Sequence, residues 1–252
     1  MTTNHDTDYR SHTTRLFGVG GVAGFVSFAA AFAAMHFIQP DLNPIENFGS
    51  DYAFGRGGWV MRLGFVMAGV GALLLTLGLR RSLAAEKRRG ISTVLMGLAG
   101  VGFVGSGLFN ADPPLEDGTT GYTTEGSLHD LTGMILFISL IVVSFVLVGV
   151  FGRDRRWHTL ARTARTFAWL SLIGLVATIT SAEMTTPGSG GITGLVQRVF
   201  VGTFLTWLII LGWRVYRLAD ASVSPPRSGF DEDLDLRSND GTRHLDDAGA
   251  GR

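Results

Sequence analysis

Residues 128–151 read LHDLTGMILFISLIVVSFVLVGVF, and residues 152–156 continue as GRDRR. From Leu131 to Phe151 no side chain carries a formal charge. About 20 apolar residues at a rise of about 1.5 Å each cross a hydrocarbon core about 30 Å thick. A helix buried in a soluble domain needs no such length. The abrupt change to Arg153, Arg155 and Arg156 marks a membrane–water boundary. The segment is therefore read as a transmembrane helix.

Five further runs of the same kind accompany it: Leu16–Ile38, Trp59–Leu79, Ile91–Asn110, Thr166–Met184 and Leu195–Tyr216. The first exceeds the apolar core of a secretory signal, about 7–15 residues. Its Ala-Phe-Ala-Ala stretch, 31–34, resembles a cleavage site, but His36 and the following PDLNP read as continuing structure. The expected fold is all-α, a bundle of six transmembrane helices over residues 16–217. A polar arm without apolar periodicity, 1–15, precedes it, and an acidic tail too poor in apolar residues to fold, 218–252, follows.

The net charge of zero conceals an asymmetry. Arg80, Arg81, Lys87, Arg88 and Arg89 follow the second span, and Arg153, Arg155, Arg156, Arg162 and Arg165 follow the fourth. The opposite loops carry Asp41, Glu46 and Asp51, then Asp112, Glu116, Asp117 and Glu125. The positive-inside rule makes the basic loops cytoplasmic and, with an even number of spans, both termini as well. The expected location is the cell membrane, multi-pass. Trp59 is expected at the outer interface, and Trp157, Trp213 and Tyr216 at the inner one. The charge distribution speaks of orientation and excludes nucleic acid as a partner. No cysteine is present, which excludes disulfides, thiolate nucleophiles and Cys-ligated metals. The 35 glycines, in spacings such as Gly20 to Gly24, point to close helix packing in lipid.

Polar residues enter the spans at one level, the outer end. His36 ends the first span with Asp41 just beyond, Arg62 lies a turn inside the second, and Asn110 and Asp112 end the third. His129 and Asp130 open the fourth, Glu183 closes the fifth, and Gln197 and Arg198 open the sixth. Capping and snorkelling explain any one of them. Together they form the chain's only polar constellation at membrane depth, and such residues are functional suspects. Asp112 and Glu183 are the acidic partners expected for Arg62 and Arg198. As a metal-dependent lipid hydrolase the cluster would use His36, Asp112 and His129, although no HExxH or HxxxH spacing supports it. A transporter would need a midplane site, and there the chain offers only Gly and hydroxyl residues such as Ser106, Thr178, Thr180 and Ser181.

Three stretches carry a family resemblance: HFIQPDLNP at 36–44, FNADPP at 109–114 with GSLH at 126–129, and GLVQR at 194–198. With Ser50-Asp51-Tyr52 and Gly57-Gly58-Trp59, they resemble the prokaryotic integral membrane family called domain of unknown function 998. A more distant likeness reaches the six-span membrane proteins of the Frag1/DRAM/Sfk1 type, which are linked to lipid handling. The resemblance implies a multi-helix membrane protein without an assigned activity, and its motifs coincide with the outer polar cluster. The reading is a non-enzymatic membrane component that binds a lipid headgroup or a membrane-protein partner there. The cluster comprises His36, Asp41, Arg62, Asn110, Asp112, His129, Glu183 and Arg198, and no cofactor is implied. A metal-dependent lipid hydrolase and a small-solute transporter are the alternatives.

Overall fold

A computed structural model describes residues 4–84, 87–112, 123–185 and 191–221. The six expected helices are present: α1 Asn4–Ile38, α2 Gly58–Ser82, α3 Lys87–Leu108, α4 Thr124–Phe151, α5 Ala161–Met184 and α6 Thr193–Ala221. Each is long and apolar enough to cross a membrane, and there is no strand among the described residues. This is a multi-pass membrane protein.

The helices form a ring in chain order. Each packs on the next, α6 returns to α1, and α2 reaches α6 across the middle. Glycine permits the closest approaches, because van der Waals packing drives association where lipid removes the hydrophobic incentive. A Cβ on Gly24 of α1 would stand 2.8 Å from Cα of Gly71 in α2, and one on Gly18 would stand 2.8 Å from the Gly212 carbonyl oxygen of α6. Helix α1 therefore carries two backbone-contact faces, one for each neighbour. Interlocking rings fill the interior, with Phe28 on Phe65 at 5.1 Å and Phe137 on Phe200 at 5.0 Å. The periphery stays apolar: Ile173 and Val199 are 60% and 64% exposed, as a lipid-facing surface requires.

Two boundaries and one side chain differ from expectation. Helix α1 begins at Asn4, so part of the polar arm is helical, and Arg15 pairs with Asp220 at 3.2 Å and with the Tyr216 hydroxyl at 3.0 Å. Helix α6 accordingly runs to Ala221, past the expected start of the tail at 218; residues 222–252 lie outside the described residues. Trp157 does not face lipid. It is fully buried and stacked on Phe151, 4.7 Å between ring centres, because the α4–α5 turn folds back over the bundle. Trp59 and Trp213 are exposed, as belt residues are.

Candidate functional site

The α1–α2 connection builds one end of the bundle. Gln39, buried just past α1, sets its side-chain amide nitrogen within hydrogen-bond distance of three carbonyls, those of Tyr52 (3.2 Å), Phe54 (2.5 Å) and Arg56 (2.9 Å). Asn43 opens a side-chain turn, accepting from the Ile45 amide at 3.0 Å and donating to Glu46 at 2.8 Å. A 3-10 turn, Gly49–Ala53, then buries Tyr52 completely, and the Tyr52 hydroxyl donates to the Leu42 carbonyl at 3.1 Å. Gly57, at φ 71°, takes the left-handed conformation that starts α2. Two bonds from main-chain amides tie the connection to α6: the Gly49 amide to Gln197 Oε1 at 2.7 Å, and the Leu195 amide to the Ile45 carbonyl at 3.0 Å.

Arg198 occupies the pocket so formed. Its Nε donates to His36 Nε2 at 3.2 Å, and its Nη1 donates to the carbonyls of Asn47 (2.8 Å) and Gly194 (3.0 Å). The guanidinium lies 5.0 Å from the ring centre of Phe32 and 5.5 Å from that of Tyr52, within cation–π range. His36 Nδ1 lies 2.8 Å from the Phe32 carbonyl. A carbonyl only accepts and a guanidinium only donates, so His36 is the neutral tautomer with its proton on Nδ1. Asp51 accepts from the Phe48 amide at 2.8 Å. Burial pushes its carboxyl above the ordinary range, against the Phe48 and Asn47 hydrogen bonds and the charge of Arg198. One polar atom is left over: Arg198 Nη2 is buried without a hydrogen bond.

The α3–α4 side is organised separately. Thr123 caps α4 by accepting from the Gly126 amide at 3.0 Å, and Asp112 grips Thr123 through its amide (2.9 Å) and hydroxyl (2.5 Å). Those bonds hold the Asp112 carboxyl below its ordinary range. Asn110 donates to Glu125 through its backbone amide and its side chain, both at 2.9 Å. His129 does not open α4 but sits more than a turn inside it, buried, bonded to the Phe109 carbonyl at 2.9 Å and edge-on to Phe65. A cavity of about 60 Å³ separates the two halves, with Phe32, Gly49 and Gln197 on one wall and His129, Ser106 and Phe65 on the other.

The expected constellation thus divides. His36 and Arg198 come together, and Asn110 and Asp112 share one turn with His129. Asp41 and Glu183 are exposed and form no ion pair among the described residues. The expected pairs Arg62–Asp112 and Arg198–Glu183 do not form: the described ion pairs are Arg15–Asp220 and Arg156–Asp154. Asp112 is turned onto Thr123, and His36 and backbone carbonyls take the place expected of Glu183. Half-buried Arg62 has no hydrogen bond or ion pair among the described residues. His36, Asp112 and His129 make no metal site either, because no group of three such ligands exists among the described residues. Both ring nitrogens of His36 are engaged, and Asp112 faces away into its own turn. Thr178 and Ser181 bond to carbonyls of their own helix, as membrane hydroxyls commonly do. Glu116 and Asp117 lie outside the described residues.

Gln39, Asp51, Tyr52 and Gln197 complete the pocket; Gln197 was placed beside Arg198 in the outer constellation, and the other three were not among the expected site residues. All four fall within the strings that carry the family resemblance, which was the available signal. A family model described as "Protein of unknown function (DUF998)" matches residues 22–214, and the chain belongs to that family. No curated protein and no solved structure matches the chain.

Proposed function

We propose that this protein is a non-enzymatic component of the cell membrane whose His36–Arg198 end faces outward and binds the phosphate-bearing headgroup of a lipid. The observation that carries this reading is Arg62, a half-buried cation one turn inside α2 without a partner among the described residues. Arg198 Nη2 adds an unpaired donor at the same end. A desolvated charged donor without an acceptor costs about 1–3 kcal/mol or more, which a phosphate oxygen offsets. A guanidinium matches that oxygen array better than an ammonium does. The outward orientation, with both termini cytoplasmic, rests on the basic residues at the other end.

The headgroup reading is tested by native mass spectrometry of detergent-purified protein. Wild type should retain a phospholipid that Arg62→Ala loses at unchanged melting temperature; equal retention by both proteins overturns the reading. Orientation is tested in the naturally cysteine-free chain. An impermeant maleimide on intact cells should label Ile45→Cys and spare Arg155→Cys, and the reverse pattern would invert the topology.

A further inference from the structure

We propose that the opposite end of the bundle holds a second binding site, for a phosphoryl-bearing anion, in the cavity framed by Arg80, Arg81, Arg89 and Arg156. That cavity has a volume of about 600 Å³, within the range of about 300–1,000 Å³ common for small-molecule sites. Its walls come from four parts of the chain: the start of α1 with Ser11 and Thr14, the end of α2, the start of α3 with Arg89, and the α4–α5 turn with Arg156. The end of α6 closes it. No carboxylate is among its described lining residues.

The four guanidiniums are not equivalent. Arg156 is fixed by Asp154 through Nε at 3.3 Å and Nη2 at 3.1 Å, and its carbonyl accepts from Arg214. Arg81 lies over the Phe17 ring at 4.8 Å. The guanidiniums of Arg80 and Arg89 have no hydrogen bond or ion pair among the described residues; only the Arg89 carbonyl is engaged, by the Thr93 hydroxyl at 2.8 Å. Two of the charges are therefore anchored and two are uncommitted. The positive-inside rule accounts for arginines in these loops, but it leaves them free to spread apart in water. Here α2, α3 and the α4–α5 turn bring them around one concavity, where like charges repel and an anion reverses the sign of the interaction. Several convergent guanidinium forks select a phosphoryl group, whose oxygens accept bidentate bonds from more than one side. Basic recesses between transmembrane helices take phosphorylated lipid headgroups in this way. A soluble phosphate ester offers the same chemistry.

The two sources separate in binding measurements on the full chain in a neutral detergent. An Arg62→Ala background keeps the other end from contributing. Dioctanoyl phosphatidylglycerol and glycerol phosphate are the probes, with dioctanoyl phosphatidylcholine as the zwitterionic control. Phosphatidylglycerol should bind more tightly than the control, and Arg80→Ala and Arg89→Ala should each weaken it about tenfold. Binding of glycerol phosphate with the same sensitivity identifies a soluble ligand, and binding of the lipid alone identifies the leaflet as the source. Arg80→Lys and Arg89→Lys should fall between wild type and the alanine variants. Equal affinity for the lipid and the control, or affinity indifferent to both alanine substitutions, overturns the proposal.

Discussion

At one end of the bundle, Arg198 directs three hydrogen bonds into His36 and two carbonyls and lies between two aromatic rings. At the other, the guanidiniums of Arg80 and Arg89 stand at the rim of a cavity with no partner among the described residues. The residue type is the same and the cost of burial differs. Arg198 enters its helix one turn below the surface, where the α1–α2 connection folds over it, so burial favours acceptors within the protein, which Nε and Nη1 have and Nη2 lacks. Arg80 and Arg89 lie at helix ends that water reaches, where nothing obliges them to pair. The first arrangement is a fastening. The second leaves charge available to a ligand.

The strongest way to break this contrast is Arg198→Ala. It removes the charge of Arg198 from half-buried Asp51 and leaves His36 Nε2 and the two carbonyls without their donor, so it should cost about 3 kcal/mol in detergent unfolding. A loss no larger than that of a surface variant would make the fastening incidental. Gln39→Ala comes next. Three carbonyls of the α1–α2 connection lose a shared donor, at about 2 kcal/mol, and proteolysis within residues 43–56 should accelerate.

A pH series sharpens the contrast within the fastened end. The folded pKa of Asp51 is raised, so its contribution is fullest below the ordinary aspartate range and is lost as pH rises through the elevated value. That of Asp112 is lowered by the Thr123 bonds, so its contribution is present above the ordinary range and is lost as pH falls through the depressed value. Melting temperatures between about pH 3 and pH 7 should therefore lose opposite slopes in Asp51→Asn and Asp112→Asn. The smallest effect belongs to the other end. Arg80→Ala and Arg89→Ala should change stability by less than about 0.5 kcal/mol, because exposed Arg80 and half-buried Arg89 hold no ion pair among the described residues.

The spans were legible because length and charge decide them. LTGMILFISLIVVSFVLVGVF admits no other reading, and all six helices lie where the apolar runs place them. Helix ends were less legible, because hydropathy is silent about polar residues that continue a helix, as Asn4–Arg15 does, with Arg15 paired to Asp220 of α6. Depth along each span could be counted, and it grouped His36 with Arg198 correctly. Rotation about the helix axis could not, and rotation decides partners: Glu183 shares its level with Arg198 but is exposed. Acidic residues were weighed as the natural counterparts of arginine, whereas main-chain carbonyls and a neutral imidazole take that role. Such acceptors leave no mark on composition. Asp51 and Gln39 fall in a connection that hydropathy reads only as polar, and their burial follows from a turn that covers the bundle.

The ring order of the helices bears on how the chain is assembled. Helices leave the ribosome in the order in which they pack, so α1 to α5 can associate as a growing arc without any segment threading between others. Until α6 is inserted, the face of α1 around Gly18 has only lipid against it, and Arg198 is not yet present to hold the α1–α2 connection. Helix α6 is thus the keystone of both, and loss of α6 should leave an arc that quality-control proteases recognise at α1.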